Sequence, residues 1–152
     1  MAGRPRIIDG GDLGALVDAD GNRDCVHYLA RHQPSCHSDP GEALIRSAEK
    51  CGDWIAYSPS FGQLRYVALV TDRRIFALGL GQRSVCYRLP PTLSAIAFRT
   101  GATEAGEIGS DWVRFELFRP DWPTPDLPFW TLKAYAAARA GEKWDPSGAS
   151  RW

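Results

Sequence analysis

Residues 64–98 limit how this chain can fold more than any other stretch. An apolar run, Tyr66-Val67-Ala68-Leu69-Val70, breaks at Thr71-Asp72-Arg73-Arg74 and resumes as Ile75-Phe76-Ala77-Leu78. Gly79 and Gly81 precede Val85-Cys86-Tyr87-Arg88-Leu89, then Pro90-Pro91, then Ala95-Ile96-Ala97-Phe98. Short β-branched and aromatic runs parted by turn residues at this spacing predict consecutive antiparallel strands. Trp54-Ile55-Ala56-Tyr57 adds a strand before them. Residues 112–119 add one behind, with Val113, Phe115 and Leu117 on one face and Arg114 and Glu116 on the other.

Helical signals flank these strands. Val26, Leu29 and Ala30 recur at helical spacing, which predicts a short helix over 23–33 capped by Asn22 and stopped by Pro34. Asp39, Pro40 and Glu42 form a capping-box start for a second helix. Leu44, Ala48 and Cys51 share its face, and Gly52 ends it. A third helix is expected over 128–140, with Phe129, Leu132, Ala136 and Ala140 as its core stripe and Lys133 snorkelling at the edge. Ile7-Ile8 reads as an edge strand or ordered loop, residues 1–6 as an arm and 142–152 as a loose tail.

The reading is a single α+β domain of 152 residues, long enough to bury a core. A helical N-terminal extension (1–52) leads into a bent antiparallel sheet of about six strands with a C-terminal helix (53–141). No apolar run reaches the roughly 20 residues that cross a bilayer, and the N-terminus lacks the apolar core of a signal peptide. The expectation is a soluble cytoplasmic protein with free thiols. Net charge is zero, but it is unevenly spread: residues 54–99 carry six arginines and one acid, whereas 1–53 carry six bases and nine acids.

Motifs for chemistry are sparse. Asp18-Ala19-Asp20-Gly21-Asn22 opens like a calcium loop, but Arg23 stands where that loop needs glycine and Leu29 where it needs glutamate. Cys25, His32, Cys36 and His37 carry zinc-binding side chains at a spacing that matches no standard finger. Cys25 and His27 lie two apart on a helix, so they diverge and cannot act as nucleophile and base. With no nucleophile elbow and no phosphate loop, no enzyme, cofactor or metal is expected. The basic strands remain: Arg65, Arg73, Arg74, Arg83 and Arg88, interleaved with Tyr66, Phe76 and Tyr87, form a candidate surface for an anionic or protein partner.

The order Leu69-Val70-Thr71-Asp72-Arg73-Arg74-Ile75-Phe76, followed by a strand and Leu93-Ser94-Ala95-Ile96, resembles bacterial pleckstrin-homology-like domains. Those domains place a Thr-Asp-Arg-Arg type turn between two apolar strands. The resemblance spans about residues 50–140; the first 50 have no counterpart in it. It implies a sheet plugged by its last helix and a scaffold used for recognition. The functional expectation is a non-enzymatic module that binds another protein. The alternatives are a nucleic-acid-binding accessory protein using the arginine and aromatic strands or, more weakly, an enzyme with a site assembled from residues distant in sequence; an anionic lipid is a less favoured partner than a protein.

Overall fold

A computed structural model describes residues 7–9, 13–19, 21–58, 66–121 and 123–140. The expectations for the arm (1–6), the tail (142–152) and Arg65 lie outside the described residues. The architecture is α+β. Among the described residues, seven strands form one open sheet: β1 (Ile7–Asp9), β2 (Ile55–Ser58), β3 (Val67–Thr71), β4 (Arg74–Leu80), β5 (Ser84–Arg88), β6 (Thr103–Glu104) and β7 (Trp112–Glu116). Their order across the sheet is β1-β2-β3-β4-β5-β7-β6. Strands β2 to β7 pair antiparallel, and only β1 joins parallel, with Ile8 opposite Tyr57.

Both faces of the sheet are covered. On β3, Val67 and Leu69 enter one core, while Ala68 and Val70 enter another on the opposite face. The first core is closed by helices α2 (Ser38–Ser47) and α4 (Leu127–Ala140), which bring Leu44, Trp130, Ala134 and Ala138, with Ala48 just past the end of α2. The second is closed by a 3-10 turn (Leu13–Leu16) and α1 (Arg23–His32), through Leu13, Leu16, Cys25, Val26 and Leu29. A strand buried on both sides has no polar face to show, so β3 and β4 read as continuous apolar runs. Val113, Phe115 and Leu117 all lie in the first core, as their alternation predicts.

Four expectations need correction. Ala95-Ile96-Ala97-Phe98 is not a strand but part of α3 (Pro91–Arg99). Pro90 is extended and Pro91 takes the first helical position, where its fixed φ suits a helix start. Helix α2 is capped not by Asp39 but by His37, whose Nδ1 accepts from the Asp39 N–H at 3.3 Å. A bridge between Cys36 and Gly81, with His37 N–H donating to the Gly81 carbonyl at 2.6 Å, holds His37 extended and fixes where the helix begins. Asn22 stands at the start of α1 but makes no side-chain cap there.

The fourth correction is the face of α4. Phe129 and Leu132 are 42% and 46% exposed, and Ala136 is exposed with them. The buried stripe is Leu127, Trp130, Thr131, Ala134, Ala137 and Ala138. This helix is apolar nearly all round, so period alone cannot choose the inner face. Packing chooses it: the Trp130 ring meets Phe115 at 5.4 Å, and Thr131 meets Tyr87.

Candidate functional site

The turn between β3 and β4 has two residues, Asp72 and Arg73, with φ of 50° and 65°. Positive φ at both central positions is what a tight hairpin needs, and Asn-Gly is the usual choice. Asp tolerates this conformation; Arg does so at a cost of about 1–2 kcal/mol. Asn22 clamps the turn from the opposite layer. Its Nδ2 donates to the carbonyls of Leu16 (2.9 Å) and Arg73 (2.8 Å), and its Oδ1 accepts from the Ile75 N–H at 3.0 Å. Thr71 Oγ1 donates to the Asp53 carbonyl at 2.7 Å, which ties the hairpin to the segment before β2.

Helix α4 reaches the same place from the other face. Arg74 donates to Asp72 Oδ2 at 2.9 Å and to the Ala138 carbonyl at 3.4 Å, placing a cation on the free carbonyls at the C-terminal end of α4. Arg139 reaches Thr71 Oγ1 at 3.4 Å. Between these elements lies a cleft of about 450 Å³, lined by Leu16, Asp53, Ile55, Tyr57, Arg73 and Arg139 together with Trp54, Val70, Thr71 and Asp72.

The charges in this cleft are unevenly matched. Asp72 is taken by Arg74. Among the described residues Arg73 donates to the Ala15 carbonyl at 3.2 Å and Arg139 to the Thr71 hydroxyl at 3.4 Å. Among the described residues neither has a carboxylate within 4.0 Å, and the Asp53 carboxylate has no cation within that distance. Arg73, Arg139 and Asp53 thus line one cleft beside an apolar wall, together with Asp72, which Arg74 holds.

The residues expected to form a basic surface do not come together. Arg65 lies outside the described residues. Arg73 lines the cleft and Arg74 is half-buried behind it. Arg83 lies 3.8 Å from Glu116, towards the far end of the sheet. Tyr66 and Tyr87 are buried, as is Phe76. Arg88 is 3% exposed and ion-paired with Asp111 at 2.6 Å. Its guanidinium lies against Gly21, where φ is 79° and a Cβ would collide with it. A strand covered on both faces turns every one of its side chains inward, so alternating arginine and aromatic residues do not share a surface here.

The metal and thiol candidates disperse similarly. Cys25 lies in the second core and Cys36 in the first; His32 stacks on Tyr28 at 4.9 Å, and His37 caps α2. No cluster of three or more metal-ligating side chains occurs among the described residues. Asn22, fifth in the calcium-like run, has its carboxamide committed to backbone groups. All four thiols are buried. Burial pushes Cys36 and Cys51 up to about 11 and Cys86 to about 12, and raises Cys25 further.

Raised thiol values have a consequence at high pH. The unfolded chain releases these protons near pH 9.0, whereas the folded chain holds those of Cys36 and Cys51 to about pH 11. Their contribution is complete below pH 9 and is lost as pH rises towards 11, on the order of 2 kcal/mol per thiol. Urea unfolding at pH 8 and 10.5 should show this loss, reduced in the Cys36→Ala/Cys51→Ala protein. Equal pH dependence in both proteins would contradict it.

Sequence reading missed Asp53, Tyr57 and Arg139 as site residues, because they converge on the hairpin turn only through the sheet and α4. It also missed a buried hydroxyl chain. Ser47 Oγ donates to the Leu44 carbonyl at 2.6 Å and so accepts from Thr131 Oγ1 at 2.7 Å; Thr131 in turn accepts from the Tyr87 hydroxyl at 2.7 Å. That chain is fully satisfied and raises no question of reactivity: desolvation raises the Tyr87 pKa and the phenol stays protonated. Protein-family models, curated proteins and solved structures were all compared with this chain, and none matches it.

Proposed function

We propose that the protein is a non-enzymatic binding module that recognises a segment of another protein in the cleft at the β3–β4 turn. The observation that carries this reading is the unmatched set of Arg73, Arg139 and Asp53 around an apolar wall. Clefts of this size, mostly apolar with a few convergent polar groups, are the usual form of binding sites. All four thiols and the Tyr87 hydroxyl are buried. The pleckstrin-homology-like resemblance of residues 69–76 points the same way, towards recognition. The nucleic-acid alternative lacks comparable support, since Tyr66, Tyr87 and Arg88 are turned into the core.

Photo-crosslinking tests the proposal directly. With p-benzoylphenylalanine in place of Tyr57, irradiation of living cells should yield a discrete protein adduct, and Arg73→Ala/Arg139→Ala should remove it. The same probe at Ile96, on the outer side of α3, serves as the control. No adduct at position 57, or one indifferent to the arginine changes, refutes the reading.

A further inference from the structure

The cleft combines three unlike features within a small space. Arg73 and Arg139 offer guanidinium donors without a carboxylate partner among the described residues, and such groups bind carboxylates in strong, oriented pairs. Ile55, Tyr57 and Val70 give an apolar wall. Asp53, exposed at the rim, offers a hydrogen-bond acceptor with no cation within 4.0 Å among the described residues. A volume of about 450 Å³ lies in the lower half of the range for small-ligand clefts, so the three features must be met by a compact group.

We infer that the cleft takes the carboxy-terminal residue of a partner chain, one whose last side chain is apolar. This rests on the binding-module reading above. A chain end places a carboxylate, a side chain and an N–H on one Cα. The carboxylate meets Arg73 and Arg139, the side chain lies on the apolar wall, and the last N–H points to Asp53. An internal aspartate or glutamate supplies the carboxylate but no apolar branch from the same Cα. The exposed position of Asp53 leaves the rest of the chain a way out to solvent.

Backbone strain supports the same assignment. Arg73 sits at φ 65°, in a turn position that glycine would fill without strain. The chain instead places a long cationic side chain there, next to the cleft. Strained conformations of this kind gather at ligand-binding sites.

Calorimetric titration of the full chain decides the matter. The probes are acetylated Gly-Ser-Gly-Ser-Leu and Gly-Ser-Gly-Ser-Phe with free carboxylates, the same peptides as C-terminal amides, and free leucine. At least one free-acid peptide should bind, its amide at least tenfold more weakly, and free leucine more weakly than the peptide. Arg139→Ala and Arg73→Gly should each weaken binding at least tenfold. Glycine suits the turn, so thermal unfolding of Arg73→Gly should confirm a folded protein that has lost its ligand. Equal binding of acid and amide, or no binding by either acid peptide at millimolar concentration, overturns the inference. Free leucine binding as tightly as the peptide also overturns it, by making a free amino acid the ligand. A position-57 adduct mapped to an internal segment of the captured protein refutes the chain-end assignment while leaving the binding-module reading intact.

Discussion

Phe115→Ala should lower the unfolding free energy by about 3–5 kcal/mol, the range for emptying a large aromatic site in a packed core. Phe115 is 2% exposed on β7, opposite Val85. Its ring has Tyr87 edge-on at 6.1 Å on one side and Trp130 at 5.4 Å on the other. Removing it therefore strips contacts from both the sheet and α4, and neither backbone is free to close the gap. Phe129→Ala should change stability far less, because that side chain faces outward with Lys133 over its ring at 5.5 Å. Urea unfolding of the two variants side by side gives the comparison. A loss under about 1 kcal/mol at Phe115 would show that the β7 register is wrong.

A comparable loss, about 3–5 kcal/mol, is expected for Asp111→Ala. Asp111 faces Arg88 at 2.6 Å, and the Arg88 side chain is 3% exposed. Without Asp111, a guanidinium is left in the core deprived of this counter-charge, and desolvation then works against folding. The guanidinium lies against Gly21, which limits where it can turn. Replacing both partners with apolar residues, as Arg88→Met/Asp111→Leu, should recover much of the loss, since a buried pair contributes little net stability over well-packed hydrophobes. A double variant no more stable than Asp111→Ala would mean that Arg88 acts through contacts other than this pair.

Most of the sheet was legible because its strands are bounded by turn chemistry that only short connections use, as at Thr71 to Arg74 and at Gly81. What sequence did not reveal was the inner face of α4 and the burial of β3 to β5 on both sides. The uninterrupted run from Tyr66 to Val70 carried the answer, for a strand with one wet face alternates and this one does not. Reading it that way would have called for a second covering layer and withdrawn Arg88, Tyr87 and Phe76 from any surface. Residues 95–98 misled because four apolar residues fit a strand and a helix equally, and only Pro91 distinguished them. Arg73 was legible as a candidate from its place in the turn. Arg139 and Asp53 were not, since nothing in sequence brings positions 53, 73 and 139 together before the sheet and α4 exist.

The placement of α1 and α2 on opposite faces of strands made later bears on the timing of folding. Both helices are 10 residues long, below the length at which isolated helices hold in water. Asn22 finds its hydrogen-bond partners 51 and 53 residues downstream, and Ser47 finds Thr131 84 residues on. Before residues 73–75 and 131 are made, these hydrogen bonds of Asn22 and Ser47 therefore cannot form. We expect ribosome-bound chains that end near residue 65 to be cut readily by proteases and full-length chains to resist. Contacts of such long sequence separation carry loop-closure entropy, so refolding slower than that of a helical bundle of this length is expected.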